Sequence, residues 1–300
     1  MRATSCFALL MLTAGLTSAQ RAQTFTGIVQ QRHFAVPREI LFTLAGGIAG
    51  TPTPEEEAFG FSPAQVLQQP LEQLRAAARK NGAALPADQF TYYFGESGVR
   101  VEVDLNSGHS LFGKKIIYLA RPQQKQSWVL LPAQQAYLEL SAEEGESVLI
   151  SAKDVLQGLA QQGSASTSAD ELPEFKKTGE QATINGLPCL RYLAKGPGQA
   201  AELWATAAHP GLRRAFDTLL SEMKLGDLAG WQSEAWWRQA IAGVPILAKQ
   251  ISQRGGMHVL EITSIQPQAV AAAKFELPAD YRKLDLQQLM QEILLKKFLR

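Results

Sequence analysis

Cysteine is nearly absent from this chain: its 300 residues contain two, Cys6 and Cys189. Cys6 falls inside an N-terminal apolar run, so Cys189 stands alone in the remainder and no intramolecular disulfide framework can form there. Stability must come from packing. Charge of one sign is also lacking, since 29 Lys and Arg face 28 Asp and Glu interspersed along the chain. Nucleic-acid binders carry a basic excess that attracts phosphate and releases counterions, so that partner class is excluded. Motifs that carry chemistry are missing as well: no GxSxG elbow, HExxH pair, CxxC pair, Walker loop or EF-hand spacing occurs. The formal match to a dinucleotide fingerprint, Gly196-Pro197-Gly198-Gln199-Ala200-Ala201, lies between two strand patterns and opens no helix, so it reads as a β-turn. His33, His109, His209 and His258 are isolated from one another and from paired carboxylates at ligand spacing. The expectation is a non-enzymatic protein with no catalytic residue, no metal site and no cofactor.

What is present starts at the N-terminus. Arg2 supplies a positive n-region, residues 6–16 form an apolar h-region, and Thr17-Ser18-Ala19 offers small residues at the cleavage positions. Residues 1–19 therefore read as a signal peptide cleaved after Ala19, too short for the roughly 20 apolar residues of a membrane span. Removing them takes one Arg and no acid, leaving the two charge signs equal. Cys6 has no apolar h-region before it and so is no lipobox cysteine. The expected location is periplasmic or secreted, without a lipid anchor. With 46% hydrophobic residues, the segment 20–300 can bury a substantial core and reads as a single domain.

Along that domain, strand-like segments at 24–32, 90–105, 114–121, 127–132, 136–140, 181–194, 200–206, 246–253 and 258–266 are rich in Val, Ile, Tyr, Phe, Trp and Thr. Short turn signals separate many of them, including Gly95-Glu96-Ser97-Gly98, Asn185-Gly186 and Arg254-Gly255-Gly256. Strand following strand through tight turns argues for an antiparallel meander rather than βαβ crossovers. In Val99-Arg100-Val101-Glu102-Val103-Asp104-Leu105 the apolar residues fall at every second position, which buries one face and wets the other.

Helical segments supply a cover. Ser62-Pro63-Ala64-Gln65 opens a helical stretch that breaks at Pro70 and runs to about Lys80, with Leu67, Leu71, Leu74 and Ala78 on one stripe. Residues 211–225 repeat the logic with Leu212, Phe216, Leu219, Leu220 and Met223, and residues 231–242 continue helically with Trp236 and Trp237. A C-terminal helix at about 285–300 caps on Asp285 and ends in basic residues that suit its dipole. It either docks on the sheet or lies on a membrane surface, and the crowding of its basic residues at one end favours docking. The segment 161–170 (QQGSASTSAD) is small, polar and unpatterned, and reads as a loop within the domain.

Two groups of side chains are candidates for function. Cys189 follows a hairpin-type turn with no helix N-terminus or clustered cation to activate it, so it reads as a small buried hydrophobe. Trp128, Tyr137, Tyr192 and Trp204 lie within strands. They either fill a core or, in a curved sheet, line a ligand cavity.

The order of motifs adds a resemblance. Phe25-Thr26-Gly27-Ile28, Trp128-Val129-Leu130-Leu131-Pro132, Tyr137-Leu138-Glu139, Thr178-Gly179-Glu180, Asn185-Gly186, Cys189-Leu190-Arg191-Tyr192, Glu202-Leu203-Trp204, Gly243-Val244-Pro245-Ile246 and Phe275-Glu276-Leu277-Pro278-Ala279-Asp280-Tyr281 follow one another. Together they resemble a family of exported bacterial proteins of unknown function related to the LolA and LolB lipoprotein-sorting fold. The resemblance covers most of residues 24–285. It implies an α+β fold: a strongly curved antiparallel sheet, a half-barrel, with helices packed in or over its concave face and a hydrophobic cavity between them. Two helical insertions, at about 36–88 and 207–242, depart from the compact family pattern and either plug that cavity or shape its mouth. The candidate cavity lining is Trp128, Tyr137, Trp204, Phe216, Trp236 and Trp237. The functional expectation is an exported protein that binds a lipid, an acyl chain or another hydrophobic ligand in the cell envelope. The alternative is a structural or protein-interaction module with a filled core and an envelope protein as partner. A hydrolase with a noncontiguous site lacks any nucleophile motif. Oligomeric state has no signature in the sequence.

Overall fold

A computed structural model describes residues 25–46, 52–106, 113–140, 174–196, 199–223, 241, 243–252, 256–285, 287–289 and 291. The proposed signal peptide, Trp231, Trp236, Trp237, the loop 161–170 and most of the C-terminal helix fall outside these residues. Among the described residues twelve strands form one open, curved sheet: β1 (Gly27–Val36), β2 (Asp88–Gly95), β3 (Gly98–Asp104), β4 (Lys115–Arg121), β5 (Gln126–Leu131), β6 (Ala136–Glu139), β7 (Glu174–Ile184), β8 (Leu187–Gly196), β9 (Gln199–Thr206), β10 (Val244–Ser252), β11 (Met257–Pro267) and β12 (Arg282–Leu284). Their spatial order is β12-β6-β5-β4-β3-β2-β1-β11-β10-β9-β8-β7. Neighbours are antiparallel throughout except at one edge, where β12 runs parallel to β6. The class is α+β, and the sheet does not close into a barrel.

Local chemistry explains the meander. The β4–β5 and β5–β6 connections repeat one device: a proline (Pro122, Pro132) starts a single 3₁₀ turn, and the residue after it (Lys125, Gln135) takes the left-handed conformation at φ 53° and 48°. Proline presets φ for the first step, and the left-handed residue reverses the chain within hydrogen-bonding distance. The β7–β8 hairpin turns on Asn185-Gly186 at φ 48° and 80°, the residue pair that tolerates positive φ at both positions of a type I′ turn.

Helices α1 (Arg38–Ala45), α2 (Pro54–Phe59), α3 (Pro63–Leu67) and α4 (Leu71–Lys80) sit between β1 and β2. Ser62 begins α3 without a side-chain cap, whereas Thr53 and Glu56 close a reciprocal capping box at α2. Leu41, Phe59, Phe61, Val66 and Leu74 pack with Phe34 and Val36 of β1 and with Met257 and Val259 of β11. Between β9 and β10 lies α5 (Pro210–Met223), whose Leu212, Ala215, Phe216 and Leu219 pack with Val29, Tyr92, Phe94 and Val101. A third apolar layer forms where residues 268–281 cross β3 to β5 on their way to β12: Phe275 is 1% exposed among Ile117, Leu119, Trp128 and Leu130. Its ring fills the space over Gly95, where a Cβ would collide with it, and at Gly98 a Cβ would meet the Ala120 carbonyl of β4. These glycines of the β2–β3 turn are required by close approach rather than by φ: Gly95 by a side chain far along the chain, Gly98 by the backbone of the next strand.

The buried positions shift phase along β1, from Val29 and Gln31 to Phe34 and Val36. Alternate residues of a strand share a face, so α5 and α1–α4 meet opposite faces of β1 instead of gathering on one concave side. The shift coincides with a bulge, where Gln30 and Gln31 face Ser264 and Ile262 and leave Thr263 over. A bulge bends a strand and increases its twist. The Ile262 carbonyl accepts a 2.7 Å hydrogen bond from Asn185 Nδ2, which ties the β7–β8 turn back to β11 across three strand boundaries. That tie is a direct measure of how far this half of the sheet curls.

Candidate functional site

The most unusual chemistry among the described residues is an ionic cluster inside the sheet–helix interface. Glu202 on β9 is 2% exposed and lies in register with Lys249 on β10 and Leu193 on β8. Its Oε1 accepts from Arg191 Nε at 2.8 Å and its Oε2 from Lys249 Nζ at 2.8 Å. Arg191 Nη2 also lies 2.8 Å from Glu202 Oε1, and its Nη1 turns to Glu180, 2.8 Å from both carboxylate oxygens. Lys249 donates twice more, to the carbonyls of Leu67 at 2.5 Å and Gln69 at 2.9 Å. Two cations thus meet two carboxylates, and all three ammonium donors of Lys249 are used.

The sequence explains why the lysine is needed there. Helix α3 ends at Leu67 and Pro70 blocks its continuation into α4, so carbonyls at this break have no helical partners. A cation at a helix C-terminus satisfies them and suits the dipole. In β10, Leu247, Lys249 and Ile251 share the parity that faces the helices. A charge at an inward position of an alternating strand was the available sign of this cluster.

Beside it is a small cleft between α3 and β8–β9, lined by Ala64, Leu67, Gln68, Arg191, Leu193 and Ala200 among others, with a volume of about 30 Å³. That admits about one water, whereas ligand pockets run to roughly 300–1,000 Å³. Nε, Nη1 and Nη2 of Arg191 each already have a carboxylate partner.

The proposed cavity residues fall into two groups. Trp128 and Tyr137 share the layer beneath Phe275, where the Arg121 guanidinium lies 5.7 Å from the Trp128 ring. Phe216 packs edge-on against Tyr92 and Phe94 at 5.1 and 5.4 Å. Trp204 is partly buried between the α5 cluster and the α1–α4 cluster, under Arg191 at 5.7 Å. Cross-strand pairing places Tyr118 opposite Val129 and Leu119 opposite Trp128, so Trp128 faces away from the α5 side. The structure brings Trp128 to Tyr137 and Phe216 to the cluster that Trp204 borders; it does not join the two groups. Trp236 and Trp237 lie outside the described residues.

Cys189 is 3% exposed, and burial pushes its thiol above the ordinary range. A thiol held protonated is a poor nucleophile. Among the described residues no group of three His, Cys, Asp or Glu side chains could hold a metal ion, and no helix is long and apolar enough to cross a membrane. The histidines are not all isolated, however: His33 and His258, far apart in sequence, stack with centroids 5.6 Å apart. Only the β1–β11 pairing brings them together, and nothing local announces it.

With this geometry in hand, a family match covers residues 82–281, more than half of the chain, and its description is "Domain of unknown function (DUF4412)". The chain belongs to the DUF4412 family. The DUF4412 span begins just after α4, so β1 and the whole α1–α4 layer lie outside it. No curated protein matches the chain. Two solved structures, both described as the structure of PNGF-II, one in a P21 and one in a C2 space group, align with 90% of the chain at 10% identity and a TM-score of 0.31. The chain spans a third of the length of those chains, 33% in each case.

Proposed function

We propose that this DUF4412 protein is an exported, non-enzymatic interaction module of the cell envelope, whose partner is another envelope protein. The observation that carries the reading is the packing of the apolar clusters among the described residues. Helices cover two of these clusters and the 268–281 segment covers a third, and the described cleft beside Arg191 is about 30 Å³, an order of magnitude below what a lipid chain needs. Fully paired buried ions at Glu202 suit a rigid scaffold, since leaving any of them unpaired is costly. Export rests on the n-region, h-region and small residues of positions 1–19.

A second reading, a LolA-like carrier of an acyl chain, is favoured by the open, curved sheet and by the separable layer α1–α4 over it. In that reading the layer moves off the apolar floor of Phe34, Val36, Met257 and Val259 to admit the chain. Native mass spectrometry of protein purified from its own envelope, with tryptophan emission followed during addition of a long-chain fatty acid or lysophospholipid, separates the two. The module reading expects the bare mass and unchanged emission. A bound acyl species and a saturable emission change would replace it with the carrier.

A further inference from the structure

The two halves of the sheet meet at one seam. β1 pairs with β2 on one side and β11 on the other, so β2 to β6 and β12 lie beyond one edge of the β1–β11 ladder and β7 to β10 beyond the other. On one face of this ladder His33 of β1 and His258 of β11 stack, centroids 5.6 Å apart and planes 12° from parallel. His33 pairs with Leu260 and His258 with Ala35, so the stack is a diagonal contact that crosses the seam. On the opposite face Arg32 donates to Glu261 at 2.6 Å, and Arg75 of α4 and Asn185 of the β7–β8 turn also reach that carboxylate.

We propose that the β1–β11 seam is an acid-sensitive joint: protons taken up by the stacked His33–His258 pair part these two strands before the rest of the sheet opens. Two imidazolium rings stacked with centroids 5.6 Å apart repel each other. Burial, with His258 adding to it and Asp88 opposing it, lowers the His33 imidazole to about 4, and burial also lowers His258. Asp88 of β2 pairs across from His33 and accepts from the Asn106 amide at 2.7 Å. Gln250, the β10 residue across from His258, is uncharged. Asp88 compensates one imidazolium and not two. Opened strands release their histidines to the ordinary value near 6.5. Between that value and about 4 the opened form binds more protons than the closed one, so falling pH favours opening.

Hydrogen–deuterium exchange of the full chain, followed from pH 7.5 to 4.5 and corrected for intrinsic exchange rates, tests this. The expected result is a loss of protection of about tenfold or more in β1 and β11 between pH 6.5 and 4.5, the order expected for one proton over one pH unit, with β4 and β5 still protected. In His33→Gln/His258→Gln that selective loss disappears. Protection in β1 and β11 that is indifferent to pH, a loss spread evenly over all strands, or the same selective loss in the double variant would each overturn the proposal. Should the double variant fail to fold, NMR titration of the wild-type imidazole C–H signals decides: midpoints well below 6.5 for both rings support it, and a His33 midpoint at 6.5 refutes it.

Discussion

Glu202→Gln is the most revealing single change in this fold, because it removes one charge and almost no volume. In the native protein the carboxylate is shared between Arg191 and Lys249 at 2.8 Å each, with Glu202 and Lys249 side chains 3% and 5% exposed. Neutralising it leaves two buried cations against one carboxylate, Glu180, whose side chain is 57% exposed. Breaking a buried pair by removing one partner costs about 3–5 kcal/mol. Arg191 keeps Glu180 and Lys249 keeps the Leu67 and Gln69 carbonyls, which places the expected loss near the lower figure, about 3 kcal/mol. At roughly 2–4 °C per kcal/mol for a chain of this size class, the melting midpoint should fall by about 6–12 °C. Urea denaturation followed by circular dichroism gives the free energy. A double-mutant cycle with Lys249→Met isolates the pair, and the double variant should cost less than the sum of the singles, because the second change removes a charge that the first left unpaired. A Glu202→Gln loss below about 1 kcal/mol, or strict additivity in the cycle, would refute the argument that this cluster depends on mutual compensation of buried charge.

Phe275→Ala should cost about 3–5 kcal/mol by emptying the layer over Gly95 and Gly98, and should shift tryptophan emission to the red as Trp128 gains water; an unchanged spectrum with full stability would mean that residues 268–281 do not seal that face. Cys189, buried with a raised thiol pKa, should react with a thiol probe at neutral pH far more slowly in the native than in the urea-unfolded protein, and equal rates would contradict its burial. Thr53→Ala breaks the capping box at α2 and should cost about 0.5–2 kcal/mol, read as a shift in the urea midpoint, whereas Ser62→Ala, which removes no cap bond, should cost less; the reverse order would refute the assignment of the cap. N-terminal sequencing of exported protein should begin at Gln20, and a chain still carrying residues 1–19 would overturn the export signal.

What the sequence determined by itself is the part of the fold written in short-range geometry. The alternation of Val99 to Leu105, the Asn185-Gly186 turn, the break at Pro70 and the Asp285 cap, whose carboxylate accepts from the Gln288 amide at 2.7 Å, all depend on neighbours within a few residues. Backbone sterics and side-chain periodicity are enough for those. Tertiary structure decided the rest. β12 is three residues long and runs parallel to β6, a pairing that exists only because residues 268–281 are carried across the sheet by Phe275. The side on which each helical layer lies follows from a phase shift in β1 that a bulge in its partner accompanies. Glu202 and Lys249, like His33 and His258, look unremarkable one at a time. Their chemistry arises from cross-strand register between segments up to hundreds of residues apart, where the burial that gives a charge or an imidazole its altered properties is supplied by other parts of the chain.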